Sequence, residues 1–229
     1  MKANLAIDVT VDFPLRGEWW AVQTPAQKVP SHGTDFFAQR YAFDFARMDP
    51  SGTWFYPGEI GALLRHLSIG LPASQFFCWD QAVHASFAGR VLAARDGWPD
   101  RTPVVLPWEL LRTHFTPSDQ FRDRDYRPLA GNFAIIEGHE GVAFYAHLKQ
   151  GSLSVRADER VSAGDVVGAV GNSGNSTMPH LHFHLMDGAD PLAARALSCA
   201  FRAYERWVDG SWEPVDAGVP GRLERIRAV

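Results

Sequence analysis

The run His180-Leu181-His182-Phe183-His184 constrains this chain more than any other. Side chains alternate between the two faces of an extended strand. The three imidazoles therefore share one side, and Leu181, Phe183 and Leu185 share the other. Three of the chain's nine histidines fall in this run. Crowded imidazoles either stay neutral and hydrogen-bonded or bind a metal, and transition metals take neutral imidazole readily. A lone buried histidine is ordinarily a satisfied core residue. An alternating triplet points to metal binding or catalysis.

Period-two alternation recurs in short runs punctuated by Gly, Pro and Asp, the pattern of a mainly β protein with antiparallel sheets. Strands are expected over Ala6–Val11, Glu18–Gln23, Tyr41–Ala46, Gly89–Ala94, Asn132–Glu137, Val142–Leu148, Val166–Gly171 and His180–Met186. Only Ile60–Leu67 and Pro107–Thr113 read as short helices, the second with proline at its start. Near the C-terminus, Tyr204–Val208 and Ser211–Val215 flank Asp209-Gly210, a dipeptide suited to a tight hairpin turn. Residues 200–229 therefore read as a β extension ending in a hairpin. The Pro-, Arg- and Asp-rich stretch Asp96–Gly131 breaks the strand rhythm and reads as a long surface insertion, either a wall of a binding groove or an insertion without a role. No shift of composition marks a linker. With 46% hydrophobic and 21% charged residues, the 229-residue chain is expected to form a single domain with its own core.

A formal net charge of −4 argues against nucleic acid as a partner, because phosphate binders carry a clustered basic excess. The alternating Arg122-Asp123-Arg124-Asp125 reads as a solvated loop. No stretch is long and apolar enough for a membrane span. The run Met1–Asp8 places an acid where a signal peptide needs an unbroken apolar core, so no export signal is expected there. A cytoplasmic protein, export by another route and a removed leader all remain open. Cys78 and Cys199 are distant in the chain and form no Cys-x-x-Cys pair, so they are expected to be buried thiols.

A catalytic zinc site needs about three protein ligands and an open position for water. Partners for the strand histidines must come from earlier in the chain. Candidates are His32, in Ser31-His32-Gly33-Thr34-Asp35, and Asp44, in Tyr41-Ala42-Phe43-Asp44-Phe45. Asp44 is a lone acid in an apolar strand, and burying an unpaired carboxylate is costly unless a cation lies beside it. Pairing with an arginine such as Arg40 is the other reading. Phe144-Tyr145-Ala146-His147-Leu148 adds one more inward-facing imidazole, a weak signal by itself.

The block from Gly171 through Asn172, Asn175 and Pro179 into His180-Leu181-His182-Phe183 resembles the signature that closes the active site of the M23 family of zinc metallopeptidases, the lysostaphin and LytM type. Gly89–Ala94, Gly131–Ile136, Tyr145–Leu148 and Val161–Gly168 follow that family in order, so the resemblance spans roughly residues 30–190. It implies an antiparallel β scaffold and one zinc ion held by His32, Asp44 and His182. His147 and His180 become unligated catalytic histidines. His184 lies outside the family's usual set and is expected to line the groove or pair with a carboxylate, while Asn172 and Asn175 are expected beside the ligands or in the groove. Members commonly place the histidine four residues before the aspartate, whereas an inserted loop separates His32 from Asp44. Asp35 is therefore a rival ligand, although Phe43-Asp44-Phe45-Ala46 better reproduces the family's strand context. The implied activity is hydrolysis of peptide bonds, in peptidoglycan cross-links or stem peptides, by metal-activated water. The implied location is the cell envelope. A module that binds peptidoglycan or protein without cutting is the alternative reading, normally marked by lost ligands. His139-Glu140 begins like a helical zincin motif, but Ala143 stands where its second histidine is required.

Overall fold

In a computed structural model of the protein, residues 5–58, 60–113 and 125–228 are described. Residues 1–4 of the N-terminal run, Arg122-Asp123-Arg124 and the centre of the long insertion lie outside them. In chain order the elements are β1 (Val9–Val11), β2 (Gly17–Gln23), β3 (Phe43–Ala46), α1 (Ile60–Ser68), β4 (Ala82–His84), β5 (Gly89–Arg95), α2 (Leu106–Thr113) and α3 (Arg127–Ala130). There follow β6 (Asn132–Gly138), β7 (Gly141–Leu148), β8 (Arg160–Val161), β9 (Val166–Ala169), β10 (Leu181–Met186), β11 (Ala196–Leu197), β12 (Cys199–Val208), β13 (Ser211–Gly218) and β14 (Arg225–Ala228).

One large sheet runs in the order β1-β12-β14-β2-β3-β10-β7-β6-β5-β8, with β11 on β10 and β13 on β12. Strands β4 and β9 form a separate pair. All named pairings are antiparallel except β1 with β12. The expected mainly β fold with few short helices is therefore observed. The C-terminal hairpin is present as well: Asp209 and Gly210 both take positive φ, 46° and 93°, as a two-residue turn matched to the twist of its strands requires. Strand β14 was not legible because it spans only four residues and half of them are arginines. Ile226 and Ala228 are buried, while Arg225 and Arg227 pair with Glu18 and Glu205.

The centre of the sheet is buried on both faces, which explains its nearly continuous apolar composition. On one face Leu181, Phe183 and Leu185 of β10 join Phe43, Phe45, Ala143, Tyr145, Ala134 and Ile136 in the main core. Rings pack closely there, with Phe43 parallel to Phe45 at 5.6 Å and Phe13 tilted against Phe201 at 4.3 Å. Full burial of each such side chain contributes about 1.5–3 kcal/mol. On the other face Phe37, Tyr126, Phe133, Ile135, Phe144 and Met186 form a second cluster. That second face also carries Asp44, His182 and His184, all of them buried. Cys78 and Cys199 are free buried thiols, and burial pushes the Cys78 thiol up to about 12. No described helix is long and apolar enough to cross a membrane.

The described residues of the segment 96–131 brace the turn that precedes β10. The Asp100 carboxylate accepts from the backbone N–H of Asn172 at 2.7 Å and of Gln150 at 2.8 Å. The Asn132 side chain exchanges two hydrogen bonds with the Trp98 backbone. Arg112 donates to the Gly174 carbonyl at 2.9 Å, and Arg101, paired with the buried Glu109, donates to the Ser176 carbonyl. At the heart of this turn Gly174 has φ of 70°, and a Cβ there would strike the backbone nitrogen of Gly131. The Gly174→Ala variant is expected to lose roughly 2 kcal/mol and to melt about 4–8 °C lower in a thermal denaturation; an unchanged midpoint would contradict this packing.

Candidate metal centre

Register brings the site together. Antiparallel pairing sets His182 of β10 directly opposite Asp44 of β3 on one side and Ala146 of β7 on the other. Because Phe43, Phe45, Leu181 and Phe183 are committed to the main core, period two obliges Asp44 and His182 to face away from it. His32 reaches the same point from the loop between β2 and β3. Its Nε2 lies 2.9 Å from Asp44 Oδ2, and His182 Nδ1 lies 3.0 Å from Asp44 Oδ1. One donor atom from each of His32, Asp44 and His182 falls within 4.8 Å of the others, the geometry of a cluster able to hold a metal ion.

Two β-bulges complete the arrangement. Between β2 and β3 the register slips after Ala21, so that Gln23 rather than Val22 stands opposite Asp44, and Gln23 Nε2 donates to Asp44 Oδ2 at 3.2 Å. Between β6 and β7, Ala134 pairs with Tyr145 but Asn132 pairs with Leu148, which leaves an extra residue in β7. His147 takes a left-handed φ of 60° there. A regular strand would send Ala146 and His147 to opposite faces, yet both line the same cavity. This is a bulge re-aiming a side chain at a site.

The outward nitrogens of the imidazoles are also held. His147 Nδ1 donates to the Ser173 carbonyl at 2.9 Å and His180 Nδ1 to the Met178 carbonyl at 2.8 Å. These bonds leave Nε2 as the working nitrogen of each ring; His180 Nε2 lies 3.5 Å from Asp44 Oδ1. The two rings are 4.8 Å apart between centroids. His32 Nδ1 meets Ser31 Oγ at 3.0 Å, and His182 Nε2 meets His184 Nδ1 at 3.1 Å.

Burial alone would raise the Asp44 carboxyl, but positive charge on His32 and His180 and hydrogen bonds from His180 and His182 hold it well below the usual range. Burial pushes His147 well below an ordinary histidine, helped by charge on His180 and His182. Burial also lowers His182 against the opposing pull of Asp44, and lowers His184 strongly. His180 alone is raised: burial opposes its charge, but Asp44 outweighs that effect.

The structure thus brings His32, Asp44, His147, His180 and His182 to one cavity of about 430 Å³. Phe37, Leu129, Phe144 and Ala146 form apolar wall, and Gln23, Gln39, Asn175 and Thr177 add polar groups. Asp35 stands apart, exposed and paired with Arg40 at 2.7 Å, so the arginine considered for Asp44 serves Asp35 instead. Asn175 lines the cavity. Asn172 does not: it is buried, and its side chain donates to the Arg101 carbonyl. His184 is not among the cavity-lining residues and contacts an imidazole rather than a carboxylate. Gln23, Ser31, Ser173 and Phe37 escaped sequence reasoning. A bulge places Gln23, a left-handed φ of 64° places Phe37, and loops outside the strands carry Ser31 and Ser173; nothing in their own side chains announces it.

A β-sheet carrying a His/Asp/His cluster, with Asp44 and His182 buried and His32 half-buried, beside two further imidazoles defines a candidate metal-dependent protein. The resemblance to peptidase family M23 is borne out: residues 121–194 match that family, a segment that holds His147, His180, His182 and His184. His32 and Asp44 lie outside the matched segment and are joined to it by the fold. The chain is 37% identical over 68 residues to the peptidoglycan DD-endopeptidase ShyA of Vibrio cholerae, covering 29% of this chain and 15% of that protein. It is 40% identical over 63 residues to the DD-carboxypeptidase/endopeptidase Mpg of Neisseria meningitidis, covering 27% and 14%. The match therefore spans about a seventh of the length of these relatives. The catalytic domain of lysostaphin from Staphylococcus simulans superposes with a TM-score of 0.37 at 15% identity, over 79% of this chain and 88% of that one.

Two outcomes are expected. Asp44→Ala should weaken binding of a divalent transition metal by at least about 100-fold in a chelator competition, and Asp35→Ala should leave it unchanged; the reverse would displace the cluster. Among the described residues of the metal-free protein, four lowered histidines (His66, His147, His182 and His184) oppose one raised (His180). The unfolded chain then binds more protons as pH falls below about 6.5, and stability drops with it. Thermal melts should give a lower midpoint at pH 5.5 than at pH 7.5, and an equal or higher midpoint would contradict these environments.

Proposed function

We propose that this chain is a zinc-dependent endopeptidase acting on peptide bonds of peptidoglycan, in cross-links or stem peptides. The observation that carries this reading is one buried carboxylate facing the ring nitrogens of His32 and His182, with His147 and His180 beside it, each fastened by a backbone carbonyl through Nδ1. Two imidazole nitrogens and a carboxylate oxygen form a donor set suited to zinc, and His32 Nε2, an Asp44 oxygen and His182 Nδ1 are the atoms that would hold it. When bound, the ion supplies a Lewis acid that eases deprotonation of water and polarises a carbonyl.

The remaining steps belong to the chain's own residues. With Nδ1–H committed to the Met178 and Ser173 carbonyls, neutral His180 and His147 each present the Nε2 lone pair to the cavity, where it accepts a proton from the attacking water. Once protonated, the same nitrogen donates to the oxyanion of the tetrahedral species or returns the proton to the leaving amine. Gln23, Gln39, Asn175 and Thr177 offer hydrogen bonds to a peptide backbone, and the wall of Phe37, Leu129 and Phe144 excludes water beside it. The peptidoglycan assignment is supported by the relatives named above, and the cell envelope is the proposed place of action that goes with it.

The test uses zinc-loaded protein with purified peptidoglycan and with isolated cross-linked peptide dimers, read by mass spectrometry. The wild type is expected to release new peptide ends. His147→Ala and His180→Ala should each lower kcat/KM by at least about 100-fold while retaining zinc. A wild type that holds zinc and cuts neither substrate would overturn the endopeptidase reading in favour of a binding module.

A further inference from the structure

His184 is almost fully buried, at 1% exposure, on the same face of β10 as His182. Its ring stacks on Phe144 with centroids 5.1 Å apart and planes 6° from parallel, and it meets the edge of Phe37 at 6.3 Å. Such packing allows the imidazole little rotation. Among the described residues its one polar contact is Nδ1 with His182 Nε2 at 3.1 Å, and its own Nε2 is buried without a hydrogen-bond partner. A buried imidazole with one nitrogen unsatisfied is costly, because that nitrogen has left water without gaining a partner. An apolar side chain of similar size would fill the same aromatic slot without that cost, so packing does not explain a histidine there.

The other side of His182 supplies the explanation. Its Nδ1 faces Asp44 and His32, the atoms assigned to the metal, so a ligating His182 must keep Nδ1 unprotonated and carry its proton on Nε2. That N–H points at His184 Nδ1. We propose that His184 is a positioning residue for His182, accepting the Nε2–H bond that fixes both the tautomer and the ring plane of the metal ligand; this rests on the metal-site reading above. Metal-bound histidines commonly donate their second N–H to a carboxylate or carbonyl. Here a neutral imidazole does it, and the fold provides a parallel case: Ser31 Oγ accepts from His32 Nδ1, while its own hydrogen points at the Gln39 carbonyl. An imidazole also suits the metal-free protein. When His182 Nδ1 instead donates to Asp44, His184 Nδ1 becomes the donor to His182 Nε2, so the ring contact persists with its polarity reversed.

The proposal is tested by substitutions that separate hydrogen bonding from packing. In asparagine, Oδ1 occupies the covalent position of histidine Nδ1. In leucine, a methyl group does so with nearly the same shape. Zinc affinity is measured for wild type, His184→Asn, His184→Leu and His184→Phe by competition with a chromophoric chelator, and the absorption spectrum of bound cobalt reports ligand geometry. Thermal melts of the metal-free proteins check folding. Leucine and phenylalanine should each weaken zinc binding by about 10- to 100-fold and alter the cobalt spectrum, and asparagine should restore affinity to within a few-fold of wild type. Zinc binding by the leucine variant as tight as wild type would overturn the proposal. So would an asparagine variant as weak as the leucine one, since packing would then be the cause. A wild type that binds no zinc would remove the metal site itself, an outcome distinct from loss confined to the variants.

Discussion

The structure turns on a carboxylate placed where a carboxylate is hard to keep. Asp44 sits in β3 between two phenylalanines that stack in the core, and it is itself buried. An isolated charge there would be penalised by several kcal/mol, and removing a partner from a buried charged group is destabilising on the same scale. Two histidines bond it directly, a third lies at 3.5 Å and Gln23 donates to it. These partners come from β2, the loop after it, and the approach to and body of β10. Satisfying one side chain therefore ties the middle of the sheet together.

Sheet geometry supplies the means. Alternation sends Phe183 and Leu185 inward and His182 and His184 outward, and pairing register then sets His182 against Asp44 with no further instruction. Regular pairing alone would leave the site incomplete. The two bulges add Gln23 and His147, each by shifting one residue from the face that period two assigns it. The long excursion after β5 contributes indirectly: Asp100, Arg101 and Arg112 grip the turn from Gly171 to Ser176, whose Ser173 carbonyl orients His147 and whose Ser176 hydroxyl lies 3.1 Å from His180 Nδ1.

Much of this was legible beforehand, for identifiable reasons. The His180–His184 alternation is a strand signal and a ligand signal in one, so fold and chemistry reinforced each other. Asp44 was readable as the acid that interrupts an apolar strand, and Asp209-Gly210 as a hairpin turn. Strand β14 and the short strands β4, β8 and β11 were not readable, because none of them lies within a longer run of alternating β-branched or aromatic residues. The aim of His147 was hidden because a left-handed residue in a strand leaves no trace in Tyr-Ala-His-Leu. The partner of His184 was hidden for another reason: sequence shows that residues 182 and 184 share a face, but it does not show which nitrogen of one ring meets which of the other.

The central claim is that His32, Asp44 and His182 together hold a zinc ion. Its most direct test is a crystal structure of the zinc-loaded protein with anomalous scattering recorded at the zinc edge. One strong peak is expected about 2.0–2.2 Å from His32 Nε2, an Asp44 oxygen and His182 Nδ1, on the side of the cavity that His147 and His180 line. A peak ligated by Asp35, or no zinc peak beside Asp44, would contradict it.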